Sequence, residues 1–262
     1  MEMEIVYKTS ATEKTRWRVL SIENGVVELI SENVIKTSDT KANFILEGAR
    51  GYLYAERELN EVCKIFGYGY GADTTKGGSY TTGGPIDKQI TGKIEETGAR
   101  SITIEDINEK AGITEADYTT LNSSYGSITN PTSNVYYPTV NGDSTTGTST
   151  SAGVKNLKYT SYGYNKSKIE NTDIQNMLFN GNYWLASRCI DTDSSYACFN
   201  VRLVIGDGAD TYAGTYGMCG SGGSSLYDYA RGSYAVRPVV TLKSDIIDVS
   251  TNYSTEGEWK LK

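Results

Sequence analysis

Four cysteines, several paired carboxylates and a complete lack of histidine bound the chemistry open to this 262-residue chain. Without an imidazole, the commonest general base and the commonest metal ligand are missing, and so is every nucleophilic triad built on one. Cys63, Cys189, Cys198 and Cys219 contain no C-x-x-C pair of the kind that signals zinc or redox work. An even count admits disulfides outside the cytoplasm, and Cys189 with Cys198 or Cys219 is the first bridge to consider. Glu105, Asp106, Glu115 and Asp117 stand where helices should begin and favour the macrodipole there, so they need no catalytic role. Asp191-Thr192-Asp193 and Asp207-Gly208-Ala209-Asp210 offer oxygen ligands that leave Ca²⁺ open, although neither follows the EF-hand loop. Gly67-Tyr68-Gly69-Tyr70-Gly71 misses both G-x-G-x-x-G and the Walker spacing and reads as a tight loop. These residues name no catalytic group and no further cofactor.

What remains suits contact rather than catalysis. Between Ala186 and Val236 there is no Lys, Glu, Gln or Trp, although the chain holds 16, 18, 2 and 3 of them. The same window carries six Tyr, seven Ser and eight Gly. Tyr provides a large amphipathic contact area for the ordering of two torsions, and Ser and Gly add adaptable hydrogen bonding. A flexible Gly/Ser loop is the plainer explanation of such a composition. Against it, Phe199 to Ile205 and Val236 to Leu242 alternate or run apolar as strands do.

Such contacts need a frame. Arg16 to Ile22 and Val26 to Ser31 flank Asn24-Gly25, which predicts a hairpin with Trp17 on its buried face. Leu53, Leu59, Val62, Cys63 and Phe66 recur at three and four, which predicts an amphipathic helix over 50–66 ended by Gly67, with Cys63 an inert thiol on its apolar stripe. Residues 72–98 read as a mobile Gly/Thr-rich loop. Over 101–108 the pattern predicts a short strand or helix entry with Thr103 as N-cap, and Thr114 starts another turn. Residues 122–163, Ser/Thr/Gly/Asn-rich with Tyr136-Tyr137-Pro138 the one sticky spot, are an insertion with room for a hairpin. Ser167 is expected to cap a helix running through Phe179, with Ile174, Met177 and Leu178 facing the core and Asn180-Gly181 ending it. Residues 243–249 form a further strand candidate, and Trp259 lies in the tail.

Hairpin, helices and then a strand-rich last third make an α+β class, expected as one domain over 1–262. With 38% hydrophobic residues the chain can bury a core. A net charge of −7 without a basic run argues against nucleic acid or an anionic membrane as partner. No apolar stretch reaches the ~18 residues of a membrane span, and no signal peptide opens the chain.

The segment 184–242 is framed by Tyr183-Trp184-Leu185-Ala186-Ser187-Arg188 and Val236-Arg237-Pro238-Val239-Val240-Thr241-Leu242. These motifs resemble the C-terminal part of the C-type-lectin-fold variable proteins of diversity-generating retroelements, in particular the pilin-like, gut-Firmicutes type. The Trp17-Arg18-Val19-Leu20 hairpin is similar to the start of such domains. The resemblance implies a C-type lectin-like fold of the formylglycine-generating-enzyme-like branch, with paired terminal strands and long loop insertions. It also implies a retroelement that misreads template adenines, from which Lys, Glu, Gln, Trp and Met codons cannot arise. Met218 alone departs from that rule and should be a fixed position or lie outside an adenine codon. Cysteines in such a segment can arrive by chance. The implied function is non-enzymatic: a bacterial, extracellular or cell-surface adhesin whose hypervariable surface binds a protein or glycan on another cell, phage or host. An apolar N-terminal helix cut away ahead of Met1 would fit the pilin likeness. Two alternatives stand beside it, a structural minor pilin or fibre subunit whose tyrosines contact neighbouring subunits, and a cysteine-dependent oxidase of the same fold branch using Cys189 and Cys198.

Within this frame Trp184, Phe199, Val201, Val204, Val236, Val239 and Leu242 are expected to bury inward. Their neighbours are free to vary, since surface substitutions usually stay within ~0.5 kcal/mol. That division assigns the ligand surface to Asp191, Asp193, Tyr196, Cys198, Asn200, Leu203, Ile205, Asp210, Tyr212, Tyr216, Tyr227, Tyr229, Arg231 and Ser233, with the tyrosines as anchors.

Overall fold

Asn24 and Gly25 both take positive φ, 48° and 78°, in the computed structural model of the chain. This is the backbone of a two-residue type I′ connection, whose twist matches that of the strands it joins. The structure describes residues 2–8, 14–35, 44–69, 71–82, 90–113, 135–139, 148–152, 166–192, 196–205, 212–221, 231–248 and 258–261. Strand β1 (Glu2–Lys8) precedes the predicted hairpin, which is β2 (Lys14–Glu23) and β3 (Val26–Ser31) with Glu23 opposite Val26. Trp17 is buried as expected and meets Phe66 edge-on at 6.0 Å.

The hairpin grows into a seven-stranded sheet by recruiting distant segments. Strand β14 (Pro238–Lys243) pairs with β3, β7 (Ala99–Ser101) pairs with β14, and β16 (Glu258–Leu261) runs parallel to β1 with Trp259 opposite Met3. Strand β15 (Ile247–Asp248) completes the order β15-β16-β1-β2-β3-β14-β7. A second sheet contains β10 (Tyr183–Thr192), β11 (Tyr196–Ile205) and β12 (Tyr212–Ser221), with β11 central and all ladders antiparallel. Among the described residues three two-stranded ribbons pair β4 (Phe44–Glu47) with β13 (Arg231–Tyr234), β5 (Ser79–Thr82) with β6 (Ile90–Lys93), and β8 (Val135–Thr139) with β9 (Thr148–Ala152). The last is the hairpin allowed for in the 122–163 insertion.

Among the described residues three helices fill the spaces: α1 (Gly48–Cys63), α2 (Ile104–Ala111) and α3 (Thr172–Leu178). The class is α+β. None of these helices is long and apolar enough to cross a membrane. Helix α1 lays Tyr52, Leu53, Leu59 and Cys63 against Trp184, Phe199, Val201 and Leu203 of the second sheet. A second cluster joins α2 and α3 to both sheets through Ile107, Leu178, Leu185, Val204 and Val239. The third lies on the seven-stranded sheet around Trp17, Phe66, Val240 and Leu242.

Two expectations need correction. Residues 72–98 are no simple loop where described: β5 and β6 pair, and Asp73, Ile94 and Thr97 are buried. Asn60 of α1 ties the ribbon down, donating to Ser79 O (3.2 Å) while accepting from Ser101 N (2.9 Å). Composition hid this because its anchor lies outside the segment. Gly67 follows a 3₁₀ turn at Lys64–Phe66, and a Cβ there would sit 1.8 Å from Thr97 O, so it is required by close approach. The second correction concerns α3, which is capped by Asn171, whose side chain accepts from Asp173 and Ile174 N–H, rather than by Ser167. Ser167 instead lies in a short 3₁₀ turn, Lys166–Lys168. Thr103 does cap α2, in a reciprocal box with Asp106, and Gly112 (φ 69°) closes that helix. The Thr114 turn lies outside the described residues.

Candidate functional site

The framing motifs of the C-terminal segment are held by buried polar groups as well as by apolar packing. Trp184 is 1% exposed; its indole N–H donates to Phe44 O at 2.9 Å and its ring meets Tyr234 edge-on at 4.9 Å. Ser187 accepts from Ile104 N–H (2.9 Å) and donates to Glu105 (3.1 Å), so the helix entry of α2 and strand β10 fix one another. Arg188 pairs with Glu56 of α1 at 3.2 Å and lies over the Tyr52 ring, which in turn packs edge-on against Phe199 at 5.5 Å.

Arg237 is the deepest of these groups. It is fully buried, and its guanidinium donates to carbonyls of Ser31, Glu32 (3.2 Å), Met177 (2.6 Å) and Leu178 (3.3 Å). It lies 5.2 Å from the Tyr183 ring centre, and the Tyr183 hydroxyl donates to the same Leu178 carbonyl. Burial pulls the guanidinium below its ordinary value and pushes the Tyr183 phenol up. Four carbonyls converging on one cation join the β3 end, the α3 end and the start of β14 at a single point. A charge inside an otherwise apolar run, Val236-Arg237-Pro238-Val239-Val240, was the sequence signal for this role.

All seven residues expected to bury inward do so, each no more than 3% exposed. The outward set holds less well. Leu203 is 1% exposed and belongs to the cluster under α1; Asn200 is 6% exposed; and Ile205 is half-buried against the same cluster. Asn200 and Leu203 are withdrawn from the ligand surface, and Ile205 keeps a partly exposed place on it. The reason is that β11 is covered on both faces: Phe199, Val201 and Leu203 pack toward α1 while Val204 packs toward α2 and α3. A doubly covered strand reads as a continuous apolar run, so alternation cannot pick an exposed face.

The other assigned positions sort by strand. Asp191 in β10 stands opposite Cys198 in β11, and Cys198 opposite Cys219 in β12. Tyr196 pairs with Ser221, Tyr212 with Ile205 and Tyr216 with Val201. Arg231 and Ser233 of β13 pair with Glu47 and Ile45 of β4. Asp193, Asp210, Tyr227 and Tyr229 lie outside the described residues, as does Asp207 of the second calcium candidate. Among the described residues no cluster of three or more carboxylate or thiol groups is placed to hold a metal.

A cleft of about 380 Å³ opens elsewhere, between β2 and the helices, lined by Arg18, Ile22, Lys110 and Ile174 among others. None of its lining residues comes from 184–242. The Lys110 amine there donates to Leu20 O at 2.6 Å, and burial lowers its pKa. Comparison of the chain with protein-family models, with curated proteins and with solved structures finds no match in any of the three.

Proposed function

We propose that the chain is a ligand-binding display protein with a C-type lectin-like fold of the formylglycine-generating-enzyme-like branch. Its C-terminal surface is diversified by a retroelement and binds a protein or glycan partner, with the chain serving as a pilus or surface adhesin subunit outside a bacterial cell. The observation that carries this is the 51-residue window without Lys, Glu, Gln or Trp, mounted on motifs whose side chains are buried and hydrogen-bonded. Two features support the fold assignment: the first and last strands are neighbours, and the segment rides on a small sheet of its own. Met218 stands opposite the buried Phe199 in the ladder, which supports its place among the fixed positions. With the buried Asn200 and Leu203 removed, the contact surface reduces to Asp191, Asp193, Tyr196, Cys198, Ile205, Asp210, Tyr212, Tyr216, Tyr227, Tyr229, Arg231 and Ser233.

Sequencing the genomic neighbourhood tests the diversification. A reverse transcriptase gene and a near-copy of the region encoding 184–242 are expected, with adenines wherever the two copies differ. The idea is lost if neither is present, or if differences fall as often on Trp184, Val201 and Arg237 codons as on Tyr227 and Tyr229 codons.

A structural subunit role is favoured by one observation. Strand β12 forms one edge of its sheet, spans ten residues without a charge or a proline, and has β11 as its ladder partner among the described residues. Natural edges are usually blunted by such residues. Self-association that depends on concentration and on Tyr212 or Tyr216 would favour that role.

A further inference from the structure

The β11–β12 register brings two cysteines into direct opposition, Cys198 and Cys219. Opposed residues of an antiparallel pair have Cα atoms ~4.5–5.5 Å apart. That range falls inside the ~4.4–6.8 Å span of disulfides. The other cysteines are placed differently. Cys189 stands opposite Asn200, one diagonal step from Cys198, where separations are ~7–8 Å. Cys63 lies fully buried in the core under α1, where burial pushes its thiol up to about 12. The register therefore separates one pairing from the several that four cysteines allow, and it is not the Cys189–Cys198 pairing.

We propose that Cys198 and Cys219 form a cross-strand disulfide that staples β11 to β12. The stapled strand is the one that needs it: β12 is a sheet edge, and Gly214, Gly217 and Gly220 give it three positions with no side chain to pack. The innermost rung, Ile205 opposite Tyr212, lies beside the connection between the strands, while the cysteine rung lies toward the free end of the hairpin. The bond holds the end that the connection does not.

The oxidant is a low-molecular-weight or protein disulfide. One cysteine thiolate attacks it to give a mixed disulfide and release one thiol; the second thiolate attacks the protein sulfur of that mixed disulfide and releases the other. Two S–H bonds are lost from the chain and one S–S bond forms, while the oxidant's S–S bond breaks and takes up two electrons and two protons. The bond forms or fails whatever the surface binds, and it makes Cys198 a fixed position instead of one of the variable contacts.

The test uses the full chain equilibrated with oxidised and reduced glutathione, alkylated in denaturant without reduction and digested with trypsin. The expected product is peptide 189–202 linked to peptide 203–231, with peptide 58–64 carrying an alkylated Cys63. Because 189–202 contains both Cys189 and Cys198, the link must survive in Cys189→Ser and vanish in Cys198→Ser. A link that persists in Cys198→Ser, or the two peptides released separately with all thiols alkylated, overturns the proposal. A measurement on the unmutated chain guards against variants that fail to fold. Adding a reductant should lower its thermal midpoint by roughly 5–10 °C, as expected for opening a loop of this size. An unchanged midpoint overturns the proposal equally.

Discussion

Leu203 and Tyr227 belong to the same compositionally biased window, yet they carry opposite expectations. Leu203 packs with Tyr52 and Phe199 in the core, so Leu203→Ala should cost about 2–5 kcal/mol in urea denaturation. Tyr227→Ala is expected to weaken capture of the partner under the proposed display function, read as binding of the variant against the wild type. Arg237 sets the upper end of the scale. Removing it takes the guanidinium donor from the buried Ser31 and Met177 carbonyls, while Leu178 keeps Tyr183 and Glu32 keeps Asn180, and Arg237→Met should destabilise by about 3–5 kcal/mol or prevent folding. Arg237→Lys should rescue little of that loss, because an ammonium cannot reproduce the fork. Asp106 supplies a pH handle. Burial pushes its carboxyl up, but two bonds from Arg100 (2.6 and 2.7 Å) and the Thr103 donors outweigh that and hold it below the ordinary carboxylate range; Glu28 shares the same guanidinium. A lowered folded value means stability that is present above ~pH 4 and is lost as pH falls through the folded value. The urea midpoint of the wild type should therefore drop more steeply than that of Asp106→Asn between pH 7 and about pH 3; parallel slopes would refute the assignment.

At the scale of elements, the caps are the sharpest test. Thr103→Ala should cost about 0.5–2 kcal/mol, and Ser167→Ala close to nothing, since Asn171 rather than Ser167 caps α3. Which elements were legible in the sequence follows from how local their causes are. The β2–β3 turn, the α1 stripe and the Thr103 cap depend on neighbours within a few residues, and each was readable. The β5–β6 ribbon depends on Asn60, and the cover on β11 depends on α1, α2 and α3 together; no window of sequence contains those partners. The candidate site divides the same way. Its buried motifs were readable from apolar type, and its outward face was not, because period two assigns a face only to a strand with one wet side. For the same reason Cys189 looked closer to Cys198 than the ladder makes it: nine residues of chain say nothing about register.

The whole molecule is held by pairings between remote parts of the chain. Strand β14 completes the sheet against β3 and β7, and β16 does so against β1. Such long-range ladders raise the entropic cost of the folding barrier, so refolding from urea should take milliseconds to seconds rather than microseconds, as stopped-flow Trp fluorescence can show. Removal of Glu258–Lys262 should lower the midpoint by stripping β1 of one neighbour. The position of β14 also governs biosynthesis. Until residue 243 has left the ribosome, β3 has no cover on its far edge and Arg237 has not reached the carbonyls it bridges. A chain cut short inside the Tyr-rich window therefore lacks β14, the strand that joins β3 to β7, and is an unfinished scaffold, not a smaller working one.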